Sequence, residues 1–493
     1  MAKDKKEQAA DRDKDQAKKP APKEETITTH HRVVIDGQEV AYTASVGTIL
    51  LKEEDGTPKA SVFYVAYTRD EVERLEERPV SFSFNGGPGS SSVWLHLGLL
   101  GPRRVLFDDE GYPLPPPYEL VNNDYSLLDV TDLVFIDPVG TGYSRAVPGE
   151  EAKQFYGFDK DIESVGEFIR LYTTRYGRWS SPKFLIGESY GTTRAAGLSG
   201  FLQEEYGMYL NGIMLVSAIL NFQTARFDVG NDLPYILFLP TYTAAAWYHG
   251  RLDEALQADL RAALAEVEAF IQQTYVPALM EGSALPDDKR AEVARALARY
   301  TGLSESYLEQ TDLRIGIFRF VKELLRDQRR TVGRFDARFT GIDRDAAGER
   351  FDYDPSYAAI QGPYTATLND YIRTTLRYES DLPYEILTGR VQPWDYSKHQ
   401  NQYVNVAETL RKAMTQNQHL KVFVANGFYD LATPYLATRY TFTHLGIDAS
   451  LQRNISMSYY EAGHMMYLHM PSLTQLRADL VAFVRSALPA GAA

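Results

Sequence analysis

The chain has 493 residues, 44% hydrophobic and 24% charged, the balance of a soluble globular protein with one large domain plus an insertion, or two domains. Its formal net charge of −14 argues against a nucleic-acid surface and gives no pull towards anionic lipid, and it has no run of about 18 apolar residues to span a membrane. Without a single cysteine, disulfides, thiolate catalysis and cysteine-ligated metal are excluded.

Residues 1–27 read as a charged tail. Up to about Glu25 they mix both charge signs with Ala and Pro and carry almost no large apolar side chain, so they predict disorder. The tail has no apolar h-region and is not a signal peptide. The compartment stays open between a cytoplasmic protein and a mature exported chain whose signal was replaced by Met1.

From His31 to about Tyr67, short β-rich runs are broken by turns at Asp36-Gly37 and Asp55-Gly56, the first a strong hairpin signal. Six short, continuously apolar runs follow: PVSFSFNGG (79–87), DLVFIDPVG (132–140), KFLIGES (183–189), GIMLVSAIL (212–220), LKVFVANG (420–427) and ISMSYYEAGH (455–464). Such runs suit strands buried on both faces of a parallel sheet. Helical patterns lie between them. In DKDIESVGEFIRLYTTRYG, Ile162, Val165, Phe168, Ile169 and Tyr172 share one face, and SLTQLRADLVAFVRSAL is a final amphipathic helix. The alternation predicts an α/β fold with a mostly parallel central sheet flanked by helices. The expected core is residues 28–240 and 401–493. Residues 241–400 break the rhythm with patterns such as KRAEVARALARY and predict a largely helical cap insertion over the ligand-binding edge of the sheet.

The chemistry is carried first by Gly187-Glu188-Ser189-Tyr190-Gly191. An apolar strand leads into it and a helical pattern leaves it, the setting of a nucleophile on a sharp turn at a helix N-terminus. This predicts an α/β-hydrolase with Ser189 as nucleophile. A serine needs a base, and the base an orienting acid, each on a loop after a late strand. Asp430 follows LKVFVANGFY and His464 follows ISMSYYEAG. Of the nine histidines, His469 is the nearest rival, but only His464 directly follows a strand. One oxyanion donor is expected from the Tyr190 N–H and the other from FSFNGGPGSSS (82–92), where Gly86, Gly87 and Gly89 let the backbone approach a ligand closely.

Taken together, NGGPGSSS (85–92), IDPVGTGYS (136–144), GESYG (187–191) and GHM (463–465) resemble the serine carboxypeptidases, in order and spacing, across the hydrolase core. The resemblance implies Ser189, Asp430 and His464 as catalytic triad and the Gly87 and Tyr190 N–H groups as oxyanion hole. It further implies that Asn85, the Gly86 N–H and Glu188 hold the terminal carboxylate of a peptide with a free C-terminus. Met465 is a candidate wall of the leaving-residue pocket. No metal or organic cofactor is implied. A glutamate facing a substrate carboxylate must share a proton, so its pKa is expected to rise and binding to favour acidic pH.

Two departures stand out. The family's E-L-G-P segment is here Leu99-Leu100-Gly101-Pro102, so Leu99 takes the place of a second glutamate and a proton-sharing acid pair is lost. The absence of cysteine departs from eukaryotic relatives and points to a bacterial-type member. An esterase or acyltransferase using the same triad is the main alternative, and an inactive binding protein the third. The oligomeric state is not set by the sequence, with a homodimer open.

Overall fold

The computed structural model describes residues 22–488. The expected charged tail lies outside the described residues as far as residue 21. By Glu24 the chain is already pinned, its carboxylate accepting from the Leu50 N–H (2.8 Å) and pairing with Arg175 (2.9 Å).

Nine strands form the path of the central sheet: β1 (Thr26–Ile35), β2 (Gln38–Lys52), β3 (Pro58–Arg69), β4 (Val80–Phe84), β5 (Asp132–Ile136), β6 (Lys183–Ser189), β7 (Gly212–Ala218), β8 (Lys421–Gly427) and β9 (Ile455–Tyr460). Their spatial order is β1-β2-β3-β5-β4-β6-β7-β8-β9, and the short strand Arg145–Ala146 adds to β3 as a tenth. The first three pair antiparallel, as does β3 with β5, whereas β5, β4, β6, β7, β8 and β9 run parallel to their neighbours. All six apolar runs are therefore the parallel strands, and the expected α/β-hydrolase sheet is observed. Asp36 and Gly37 both adopt positive φ (50° and 73°), the two-residue turn whose twist suits a hairpin. At Asp55-Gly56 the link is longer, spanning residues 53–57, with Gly56 alone at positive φ (87°).

Helices cover both faces. Helix α1 (Phe158–Arg175) presents the apolar face read from the sequence, and α2 (Tyr190–Tyr206) starts where β6 ends. Their faces pack with strands in one apolar layer, including Phe82, Leu185, Ile213, Val424, Phe168 and Leu198. The opposite layer is built from Ile186, Met214, Phe423, Leu480, Phe483 and the apolar segment around Leu99. The five inner parallel strands, buried on both faces, leave no room for a solvent-facing alternation, whereas β9, at the sheet edge and mostly half-buried, alternates as ISMSYY.

Between β7 and β8 the chain is mostly helical. Helices α3 (Leu233–Tyr248), α4 (Leu260–Phe270), α5 (Asp287–Thr301), α6 (Ile317–Glu323) and α7 (Pro355–Asp370) precede α8 (Ala407–Gln416). Helix α3 runs through residue 241, and the stretch contains one two-residue antiparallel pair, Thr331–Val332 with Thr340–Gly341. After β8 come α9 (Tyr435–Thr443), β9 and the closing helix α10 (Met470–Ser486). The apolar core of the helical stretch also contains Phe428, Tyr429 and Leu431 from the loop after β8. Among the described residues, no helix is long and apolar enough to cross a membrane.

Candidate active site

Ser189 is the hinge between β6 and α2, with φ 59° and ψ −129°, a conformation that costs a non-glycine residue about 1–3 kcal/mol. The flanking glycines are dictated by space. A Cβ on Gly187 would stand 2.2 Å from the Gly191 carbonyl oxygen, and one on Gly191 would stand 2.7 Å from the Phe84 carbonyl oxygen. The turn is braced from below, where the Thr192 hydroxyl donates to the Ser189 carbonyl (2.6 Å) and accepts from the Ile219 N–H (2.9 Å).

Asp430 is fully buried and saturated with donors. Its Oδ1 accepts from the N–H groups of Ala432 (2.8 Å) and Thr433 (3.0 Å), and its Oδ2 from the Thr433 hydroxyl (2.6 Å). His464 Nδ1 lies 2.8 Å from the same Oδ2. Burial alone would raise Asp430, but the neighbouring His464 charge and these hydrogen bonds outweigh it and hold the carboxyl below its ordinary value. Burial likewise pulls His464 down, and the Asp430 carboxylate more than reverses this, so the imidazole sits above its usual value. The ring is held in place by residues the sequence did not single out. The His464 N–H donates to the Phe335 carbonyl (2.6 Å), and the Phe335 ring stacks on the imidazole with centroids 5.0 Å apart. Asp336 accepts from the Gly463 N–H (3.1 Å), while Arg338 pairs with the same carboxylate (2.8 Å).

The glycine-rich loop after β4 lies directly on the nucleophile turn. A Cβ on Gly86 would meet the Tyr190 nitrogen at 2.4 Å, and one on Gly89 the Thr388 carbonyl oxygen at 2.5 Å. Gly87 and Gly89 take φ values of 101° and 103°. Arg194 anchors the loop from beneath, donating to the Asn85 carbonyl (2.6 Å) and pairing with Asp161 (2.7 Å), both side chains buried. IDPVGTGYS serves the same loop. Asp137 accepts from the Ser92 N–H (2.9 Å), and a Cβ on Gly142 would overlap the Asp137 carboxylate.

Asn85 and Glu188 meet beside Ser189. The Asn85 amide donates to Glu188 Oε1 (3.1 Å) and its oxygen accepts from the Leu95 N–H (3.1 Å), which fixes the amide's orientation. The Tyr467 hydroxyl donates to Glu188 Oε2 (2.6 Å). Burial pushes Glu188 up to about 7, against the pull of the His464 charge and the donors Tyr467 and Asn85. Leu99 is fully buried in the apolar layer with Leu97, Leu100 and Tyr467. A phenol therefore occupies the second oxygen of Glu188, and its signal was present in GHMMYLH, three residues after His464.

Asn85, Gly86, Gly87, Glu188, Ser189, Tyr190, His464 and Met465 all line one cavity of about 310 Å³, which Thr433 and Phe335 also line. Asp430 stands behind His464. The other histidines have different tasks: His469 meets the Ser472 hydroxyl (2.8 Å) at the start of α10, and His96 is buried against the Tyr67 hydroxyl (2.7 Å), where burial lowers it to about 3.

A serine turn between a parallel strand and a helix, with late loops converging on it, defines the chain as an α/β-hydrolase. More narrowly, it belongs to the serine carboxypeptidase family, whose model matches residues 47–476. It is similar to the pheromone-processing carboxypeptidase KEX1 of Saccharomyces cerevisiae, with 32% identity over 155 residues, covering 29% of this chain and 20% of that protein. It is also similar to serine carboxypeptidase-like 29 of Arabidopsis thaliana, 27% identical over 154 residues, covering 31% and 29%. These alignments span less than a third of either relative's length. The crystal structure of the yeast prohormone-processing carboxypeptidase Kex1Δp shares the fold, with a TM-score of 0.54 at 16% identity, covering 90% of this chain and 91% of that one.

Proposed function

We propose that the protein is a serine carboxypeptidase that removes the last residue of peptides with a free C-terminus. The observation that carries this reading is Glu188, a buried carboxyl next to Ser189, paired with Asn85 and Tyr467 and poised near neutrality. An ordinary esterase has no use for a protonated carboxyl beside its nucleophile. A neutral Glu188, the Asn85 amide and the Gly86 N–H together offer donors to a substrate carboxylate.

In this mechanism Ser189 attacks the final peptide carbonyl and His464 takes its proton, with Asp430 fixing the tautomer and steadying the imidazolium. The Gly87 and Tyr190 N–H groups receive the oxyanion. The first amides of a helix have no intrahelical acceptor, so the Tyr190 N–H is suited to that task. His464 then protonates the departing amino acid, and water releases the acyl group from Ser189. Met465 lines the leaving-residue side. The division into a core of residues 28–240 and 401–493 and a cap of 241–400 belongs to this reading, as does assignment to a bacterial-type member, supported by the absence of cysteine.

The test uses N-blocked dipeptides with free or amidated C-termini across pH 4–9. Release of the terminal amino acid from the free acids alone is expected. Equal turnover of amides and free acids would instead favour esterase or acyltransferase chemistry.

A further inference from the structure

The cavity is lined by two arginines, Arg334 and Arg226, whose guanidinium groups make no hydrogen bond to a protein acceptor among the described residues. Arg334 stands on the wall beside the base: its guanidinium lies 4.5 Å from the Phe335 ring, which in turn stacks on His464. The Arg334 ion pair is a long one, Asp354 Oδ2 at 4.0 Å from Nε and beyond hydrogen-bond reach, while Asp354 Oδ1 is taken by the Arg334 and Ser356 N–H groups. Arg226 stands on the other wall, 5.9 Å over the Phe222 ring, and Phe222 in turn packs against Tyr190. Among the described residues Arg226 forms no ion pair, and neither guanidinium hydrogen-bonds to a protein acceptor.

Arg226 is exposed and the Arg334 side chain is 33% exposed, so both guanidinium groups are open to a ligand entering the cavity. The other titratable groups lining the cavity are Glu188, already engaged by Asn85 and Tyr467, His464, engaged by Asp430, and the phenols of Tyr190, Tyr357 and Tyr396. The cavity thus presents two cationic side chains on its walls in a protein of net charge −14. A guanidinium standing over an aromatic ring keeps N–H donors that can match a carboxylate bidentately.

Asn85 and Glu188 share the cavity with an aromatic run that begins at Trp94. That run continues through Tyr357 (6.2 Å) to Phe335 (6.3 Å) and ends at Arg334. Tyr190, next to Ser189 in the chain, packs against Phe222, over which Arg226 stands. Resting on the carboxypeptidase reading, we propose that this site selects peptides with acidic side chains next to the scissile bond. Arg334 receives a carboxylate on the leaving residue, and Arg226 one on the residue before it.

The experiment measures kcat/KM on the full chain at pH 6, where a glutamate side chain is ionised. The substrates are N-blocked dipeptides with free C-termini that place Glu, Gln or Lys at either position and Phe at the other. Glu is expected to exceed Gln by at least about tenfold at each position, with Lys poorest, and the margin to shrink in 0.5 M salt. In Arg334→Gln the Glu-to-Gln ratio at the leaving position should fall to about one while the ratio at the preceding position persists. Arg226→Gln should do the reverse. Because each readout is a ratio within one variant, a general loss of activity does not move it, and Arg334→Lys should restore part of the preference. Cleavage of the neutral dipeptides with no preference for Glu over Gln overturns this proposal alone, as does a Glu preference that survives both variants. Failure to cleave any free-acid dipeptide overturns the carboxypeptidase reading and this proposal with it.

Discussion

Glu188 sits where two demands conflict: burial disfavours its charge, yet Tyr467 and Asn85 aim donors at it. In the proposed mechanism it is neutral below about 7 and donates to a substrate carboxylate; above, it is charged and repels one. KM for a free-acid dipeptide should therefore rise as pH climbs through about 7. Glu188→Gln, neutral at every pH, should flatten that limb, and a limb that persists would remove Glu188 from carboxylate binding. The same shift has a stability side. Its ordinary value is 4.5, so the folded state binds the proton more tightly and stability falls as pH rises from about 4.5 to about 7. Glu188→Gln should gain on the wild type across that window, by up to about 3 kcal/mol in denaturant unfolding. Tyr467→Phe deletes a hydrogen bond that favours the charged form, so Glu188 should titrate higher and the KM limb move to higher pH. If Tyr467 only packs, kcat and KM would change with the limb in place.

At the level of elements, the site is a meeting of loops held at fixed separations by the strands beneath them. Gly187 and Gly191 were legible as the small residues a tight turn needs, and the structure gives the reason in the atoms that a Cβ would strike. The aromatic and acidic residues that support His464 were not legible, because Phe335 and Asp336 lie in a stretch whose helical patterns carry no motif. Asp336 links that stretch to the base through the Gly463 N–H and is itself paired with buried Arg338. Asp336→Ala should cost about 3–5 kcal/mol in unfolding free energy, since it strands a buried guanidinium. It should also lower kcat by about 10–100-fold through misplacement of His464. KM should change little, because Asn85, Glu188 and Tyr467 are untouched. A rise in KM with kcat unchanged would place Asp336 in substrate binding instead.

Across the whole molecule, the helical stretch between β7 and β8 is not a separable appendage. Its core includes Phe238, Tyr242, Leu264 and Phe320 together with Phe428, Tyr429 and Leu431 from the loop that carries Asp430. Unfolding it would expose the acid's own supports. Calorimetry should therefore show a single transition, with loss of dipeptide turnover tracking loss of helical circular dichroism. Two resolved transitions, the first leaving turnover intact, would show that the stretch is independent of the site.

The sheet, the serine turn and the loops of Asp430 and His464 were readable from local rules alone. Buried parallel strands must be continuously apolar, a tight turn needs glycine where a Cβ has no room, and Asp430 and His464 follow strands whose ends the sheet aligns. Tertiary structure alone decided which side chains fill the spaces between those loops. Tyr467 reaches Glu188 across 279 positions of sequence, and Phe335 reaches His464 from the loop between the short strands Thr331–Val332 and Thr340–Gly341, where no periodicity marks it. Contacts of that kind depend on how whole elements dock, and no local pattern of residues encodes the docking.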